Sequence, residues 1–205
     1  MSETSIYGIY ELALERVLDN MLDILDEYQA KCVETMGSNG FEHITYRIKS
    51  DDSMREKIRG KGLPENEESA LVTVKDAIGI RVICSFVDDV FEVVDYIRNL
   101  DNIEIIDEKD YIRHAKSNGY RSYHMILAVK VPLPDLHGDN PGTYYVELQV
   151  RTIAMDTWAS LEHKMKYKKD IANQELLVAE LKRVADELAS CDLSMQTIHD
   201  IIKKS

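Results

Sequence analysis

Residues 143–152, TYYVELQVRT, decide how the chain is read. Extended backbone sends alternate side chains to opposite faces, so Tyr144, Val146, Leu148 and Val150 form one apolar face while Tyr145, Glu147, Gln149 and Arg151 share the other. The apolar face is a core face. The second face sets a carboxylate, an amide and a guanidinium in single file, either a plain solvated surface or the floor of a site.

Four further segments have strand character: residues 43–49, with Ile44, Tyr46 and Ile48 as inner residues, 78–86, 103–111 and 122–131, with turn-forming residues or helical patterns between them. The expected fold class is α+β, a mixed sheet of five strands flanked by helices. Residues 9–35 repeat Tyr10, Leu14, Val17, Met21, Ile24 and Tyr28 at spacings of three and four, the mark of an amphipathic helix. Residues 87–100 and 152–167 read as two more helices, and residues 63–69 as a polar, acidic loop. The last helix carries Leu177, Leu181, Val184, Leu188, Cys191, Met195, Ile198 and Ile202, a seam suited to helix pairing. That seam is expected to pack on the first helix and to help join copies of the chain.

At 205 residues, 44% hydrophobic and 30% charged, the chain reads as one domain. Its expected parts are an N-terminal helical segment (1–36), a core (41–169) and a C-terminal helix (172–205). No apolar run is long enough for a membrane span and residues 1–8 lack a secretory pattern, so a cytoplasmic protein is expected. Cys32, Cys84 and Cys191 are widely separated in apolar patterns and read as buried small hydrophobes.

A net charge of −12 argues against DNA binding and gives no indication of RNA binding, because polyanion affinity rests on lysine and arginine neutralising phosphates. The charge is uneven. Residues 1–36 hold eight acids against two bases, whereas residues 45–61 hold six bases (Arg47, Lys49, Arg55, Lys57, Arg59, Lys61) against three acids. Such a local concentration suits a small polyphosphate. Ser53, Lys57 and Lys61 fall on one stripe of the short helix that follows residue 50, either a solvated face or, beside Arg47 and Lys49, a phosphate grip. Asp76, at the mouth of an apolar strand and near Gly79, is either a turn cap or a Mg²⁺ ligand, since Mg²⁺ favours one or two carboxylates completed by phosphate oxygens. The loop RHAKSNGYRSYH surrounds Tyr120 with Lys116, Asn118, Arg121 and His124. A basic joint, Lys164, Lys166, Lys168 and Lys169, precedes the last helix.

No P-loop, dinucleotide fingerprint, zinc-protease motif or convincing nucleophile triad is present. Phosphoryl-type transfer asks for little covalent help from protein and much charge neutralisation and positioning, which this inventory offers.

HITYRIKSDDSMREKIRGKG, VKDAIGIRVICSF, KSNGYRSYH and VELQVRTIAMDTWASLEHKMKYK together resemble the synthetase domain of the RelA/SpoT family, in the short form of the RelQ-type small alarmone synthetases. The resemblance implies a nucleotidyltransferase-like fold, Mg²⁺ as cofactor, and transfer of the pyrophosphate group of ATP to the 3′-hydroxyl of GDP or GTP. It implies Asp76 and Glu147 as metal ligands and catalytic residues, with Glu147 as the base. Arg47, Lys49, Ser53, Lys57, Lys61 and Arg81 would bind ATP; Lys116, Asn118, Tyr120, Arg121, His124, Gln149 and Asp156 would bind the acceptor. It further implies a homotetramer. The chain departs from the RelQ pattern at Asp156, where several members carry Asn, and at His43 and Tyr46, where they carry an aromatic and Gly beside an allosteric alarmone site. The alternatives are a toxic relative acting on adenine nucleotides or tRNA 3′ ends, and a non-catalytic nucleotide sensor or RNA-binding regulator.

Overall fold

The computed structural model describes residues 5–166 and 174–204. Lys168 and Lys169 of the basic joint, and the end of the expected core, lie outside them.

The elements follow in the order α1 (Glu11–Met36), β1 (His43–Ile48), α2 (Asp51–Gly60), β2 (Ile78–Cys84), α3 (Val87–Arg98), β3 (Ile103–Asp110), β4 (Tyr123–Val131), β5 (Gly142–Thr152), α4 (Ile153–Lys166) and α5 (Gln174–Lys203). One 3₁₀ turn, Gly8–Tyr10, leads into α1, and one π turn, Ser69–Thr73, follows the acidic loop. The π turn has no counterpart in the sequence reading. Gly37 ends α1 in the left-handed conformation (φ 70°), returning its N–H to the carbonyl of Val33.

The sheet order is β1-β2-β5-β4-β3. β2 and β5 run parallel, and every other neighbouring pair is antiparallel. β5 is therefore central, as its alternation demands: one face is fully apolar and the other holds the polar file. Register aligns Ile78, Ile80 and Val82 of β2 with Val146, Leu148 and Val150 of β5, and Leu127 and Met125 of β4 complete the same buried face. Leu14, Val17, Met21 and Leu25 of α1, Met54 and Ile58 of α2, and Val90, Val94 and Ile97 of α3 close over it.

A smaller apolar cluster, Trp158, Leu181 and Ala185, joins α4 to α5 and packs against Tyr120 on the opposite side of the sheet. Three expectations are corrected here. The seam of α5 meets α4 and the start of α3, not α1, because the apolar stripe of α1 already covers the sheet core. Tyr46, expected to point inward, is 56% exposed, since β1 is an edge strand and the core does not extend beneath its middle. Cys191 is exposed, whereas Cys32 and Cys84 are buried as expected.

Candidate active site

The polar side of the sheet is built by register. Arg47 of β1 pairs with Gly79 of β2, which pairs with Glu147 of β5. The next row holds Thr45, Arg81, Gln149 and, on β4, His124. Neighbouring strands lie about 4.8 Å apart, so Gly79 leaves a strand-wide gap between Arg47 and Glu147. A Cβ built on Gly79 would meet no described atom within 4 Å, which makes that gap an open slot.

At one end of the slot, Lys49 Nζ stands 2.8 Å from Asp76 Oδ2, and Lys57 Nζ contacts the same oxygen. α2 delivers Lys57 because Met54 and Ile58 bury its opposite stripe. Tyr7 Oη donates to the Lys49 carbonyl at 2.7 Å, and the Ile6 N–H donates to Asp51, so the segment before α1 pins the joint between β1 and α2. Burial pushes the Lys49 ammonium below its ordinary value, only partly offset by Asp76, and Lys57 pushes the same way. Asp76 Oδ1 is buried with no hydrogen-bond partner among the described residues. A carboxylate oxygen in that state is suited to a cation, and Asp76 and Glu147 would supply the one or two carboxylates that Mg²⁺ takes beside phosphate oxygens.

Glu147 bounds the slot on its β5 side. Burial would raise its carboxyl, but His124 (Nδ1 to Oε1, 3.7 Å), a hydrogen bond from Gln149 Nε2 (3.0 Å) and the charge of Lys57 outweigh that and hold it below its ordinary value. It is a hydrogen-bonded carboxylate within the field of Lys57.

At the other end, Tyr120 Oη lies 2.7 Å from His124 Nε2 and accepts from Arg151 Nη2 at 2.6 Å. Lys116 Nζ lies 4.8 Å from the centroid of the Tyr120 ring, Arg151 Cζ lies 5.2 Å from it, and Tyr111 and Trp158 meet it edge-on. Tyr120 is thus half-buried within a cationic and aromatic frame. Asn118 orders the loop, accepting the Tyr120 N–H and donating to Glu162.

Arg151 holds this end together. Only 4% exposed, it donates to Ser122, Tyr120, Gln149 and Asp156. Asp156 Oδ1 accepts from both Arg151 (3.1 Å) and Arg81 (3.2 Å), joining α4 to two strands. Burial and the neighbouring Arg151 push the Arg81 guanidinium below its ordinary value. The sequence reading placed Arg151 on the polar face but gave it no role; its parity with Glu147 and Gln149 was the available signal.

The structure brings together Arg47, Lys49, Lys57, Asp76, Arg81, Lys116, Asn118, Tyr120, His124, Glu147, Gln149 and Asp156 along this face. Ser53 is exposed and hydrogen-bonded to Ser50, and Lys61 is exposed just beyond α2, both at the outer margin. Arg121 is turned away from the slot toward α5, where it meets the Ala185 carbonyl and Asp186.

Residues 46–172 match the family described as the region found in RelA/SpoT proteins. Two Bacillus subtilis (strain 168) proteins are similar: GTP pyrophosphokinase YwaC, 37% identical over 180 residues (87% of this chain, 81% of that protein), and GTP pyrophosphokinase YjbM, 34% identical over 164 residues (80% and 74%). Among solved structures, small alarmone synthetase 2 from Bacillus subtilis superposes with TM-score 0.77 at 35% identity, covering 92% of this chain and 96% of that one. Small alarmone synthetase 1 from the same organism, bound to its product pppGpp, superposes with TM-score 0.76 at 29% identity, covering 94% of each chain.

Proposed function

The chain belongs to the RelA/SpoT family, and from that premise we propose that it is a (p)ppGpp synthetase, moving the pyrophosphate group of ATP to the 3′-hydroxyl of GDP or GTP. The observation that carries the reading is the row Arg47, Gly79, Glu147, an open slot with a carboxylate along its β5 side and Lys49, Lys57 and Asp76 at its end.

In this reading Arg47 and Arg81 hold the adenine between guanidinium planes, a contact of about 0.5–2 kcal/mol. Lys49 and Lys57 exchange the Asp76 carboxylate for phosphate oxygens, with Ser53 and Lys61 at the entrance. Tyr120 carries the acceptor base, with Lys116, Asn118, His124, Gln149 and Asp156 around it. Arg121 acts through the loop backbone, not by touching the nucleotide. Glu147 takes the proton of the 3′-hydroxyl; the 3′ oxygen bonds to the β-phosphorus of ATP, the bond from that phosphorus to the α–β bridging oxygen breaks, and AMP leaves. His124 and Gln149 keep Glu147 ionised and oriented for that proton. General-base help of this kind is typically worth about 10²–10⁴-fold. Mg²⁺, held by Asp76 and Glu147, would supply neutralisation of charge on the transferred group.

The working form is a homotetramer in the cytoplasm. The exposed apolar residues of α5 support the assembly, and no helix among the described residues is long and apolar enough to cross a membrane. The test is product analysis with ATP labelled in the γ-phosphate and GDP as acceptor. Label recovered in ppGpp with one AMP per product supports pyrophosphate transfer. Release of ADP in place of AMP would refute it.

A further inference from the structure

α5 contacts the acceptor end of the site at two separate points. At the first, the Thr152 hydroxyl donates to Asp192 Oδ2 at 2.6 Å while accepting the Met155 N–H at 3.1 Å. Thr152 therefore caps the start of α4, the helix that presents Asp156 to Arg81 and Arg151. Thr152 is fully buried, so its orientation depends on the carboxylate that accepts its proton.

At the second point, Arg121 donates to the Ala185 carbonyl (3.3 Å), the Gly119 carbonyl (3.2 Å) and Asp186 Oδ1 (3.0 Å). Gly119 has φ +91°, and a Cβ there would come within 2.5 Å of the Ala185 methyl. The backbone just before Tyr120 thus rests directly on α5, in a conformation that favours glycine. Between the two points lies a small open cleft whose wall includes both Arg121 and Asp192. The helix holds the acceptor end through these polar ties as well as through the packing of Trp158, Leu181 and Ala185.

We propose that Asp192 and Asp186 are positioning residues for the acceptor nucleotide: through Thr152 and Arg121 they fix α4 and the Tyr120 loop, so that α5 is part of the acceptor subsite. The inference rests on the reading that Tyr120 and Asp156 face the acceptor. It makes the helix that carries the exposed apolar surface also the helix that sets acceptor affinity.

The test is calorimetric titration of the full-length chain with GDP, and separately with a non-hydrolysable ATP analogue, alongside steady-state KM and kcat. One lost hydrogen bond corresponds to about two- to tenfold. Asp192→Ala and Asp186→Ala should each weaken GDP by about that factor and raise KM for GDP, with affinity for the ATP analogue falling by clearly less than affinity for GDP. Asp192→Asn, whose amide oxygen still accepts from Thr152, should restore near-normal GDP affinity. Should Asp192→Ala fail to fold, Asp186→Ala carries the test, since its carboxylate is largely at the surface. GDP affinity unchanged in these variants, or GDP and ATP-analogue affinities falling in parallel, would overturn the inference. A wild-type chain that binds the ATP analogue but neither GDP nor GTP would overturn the synthetase reading itself, and this inference with it.

Discussion

Lys49 Nζ lies 2.8 Å from Asp76 Oδ2, with both side chains under 15% exposed, and Lys57 shares the same oxygen. The carboxylate thus competes with any incoming phosphate for the two ammoniums. Asp76→Asn should leave metal-free ATP affinity equal to the wild type or higher, because that competition is relieved, while removing the gain in affinity on adding Mg²⁺ and the turnover with it. Calorimetry with and without Mg²⁺ checks this. A metal-free affinity about tenfold weaker in the variant would show that Asp76 organises the lysines in place of competing with phosphate.

Tyr120 combines a ring and a hydroxyl with separable duties. Tyr120→Ala should weaken the acceptor by about 1–3 kcal/mol, the range for one base stacked on an aromatic side chain, with little change for ATP. Tyr120→Phe should keep most of the acceptor affinity but loosen the tie between His124 and Arg151, lowering kcat more than it raises KM. Because Asp156 Oδ1 is already engaged by Arg81 and Arg151, Asp156→Ala should raise KM for ATP as well as lower the kcat/KM ratio of GDP over ADP. Steady-state kinetics on the three variants separates these effects.

Asp135 is 8% exposed and accepts the backbone N–H groups of His137, Asp139 and Thr143, closing the loop that leads into β5. Burial would raise its carboxyl, but those hydrogen bonds hold it below its ordinary value. A depressed carboxyl stabilises the fold fully above its unfolded value and loses that contribution as pH falls through the folded value. Asp135→Ala should therefore cost about 1–3 kcal/mol at pH 7. The difference from wild type should shrink as pH falls through the lowered value of the folded carboxyl. Urea denaturation across that range measures it, and a pH-independent difference would contradict the assignment.

Leu193, Met195, Ile198 and Ile202 of α5 are each more than half exposed. If that surface joins subunits, light scattering of the wild type at micromolar concentration should give a tetramer, and Ile198→Glu should yield smaller species. A monomeric wild type would contradict the assembly.

The sheet and its polar face were legible because period-two alternation records which side chains share a face, so Glu147, Gln149 and Arg151 had to lie together. Parity does not say which of them is buried. Arg151 sits inside because Asp156, five residues on, and Tyr120 and Ser122 from another segment gather around it, and such partners emerge only in three dimensions. The packing of α5 was not legible for a related reason: a seam shows that a helix packs, not on what. The direction of Arg121 was not legible because neighbouring residues of an irregular loop share no periodicity, and with Gly119 close against Ala185 the Arg121 side chain reaches α5.

The most direct test of the central claim is Glu147→Gln. The amide keeps the shape and the partnership with Gln149 but cannot take a proton from the 3′-hydroxyl. Turnover measured at saturating ATP, GDP and Mg²⁺ should fall by about 10²-fold or more. Calorimetric affinities for both nucleotides and the melting temperature should stay near those of the wild type. A well-folded Glu147→Gln chain that retains more than about a tenth of wild-type turnover would contradict Glu147 as the base.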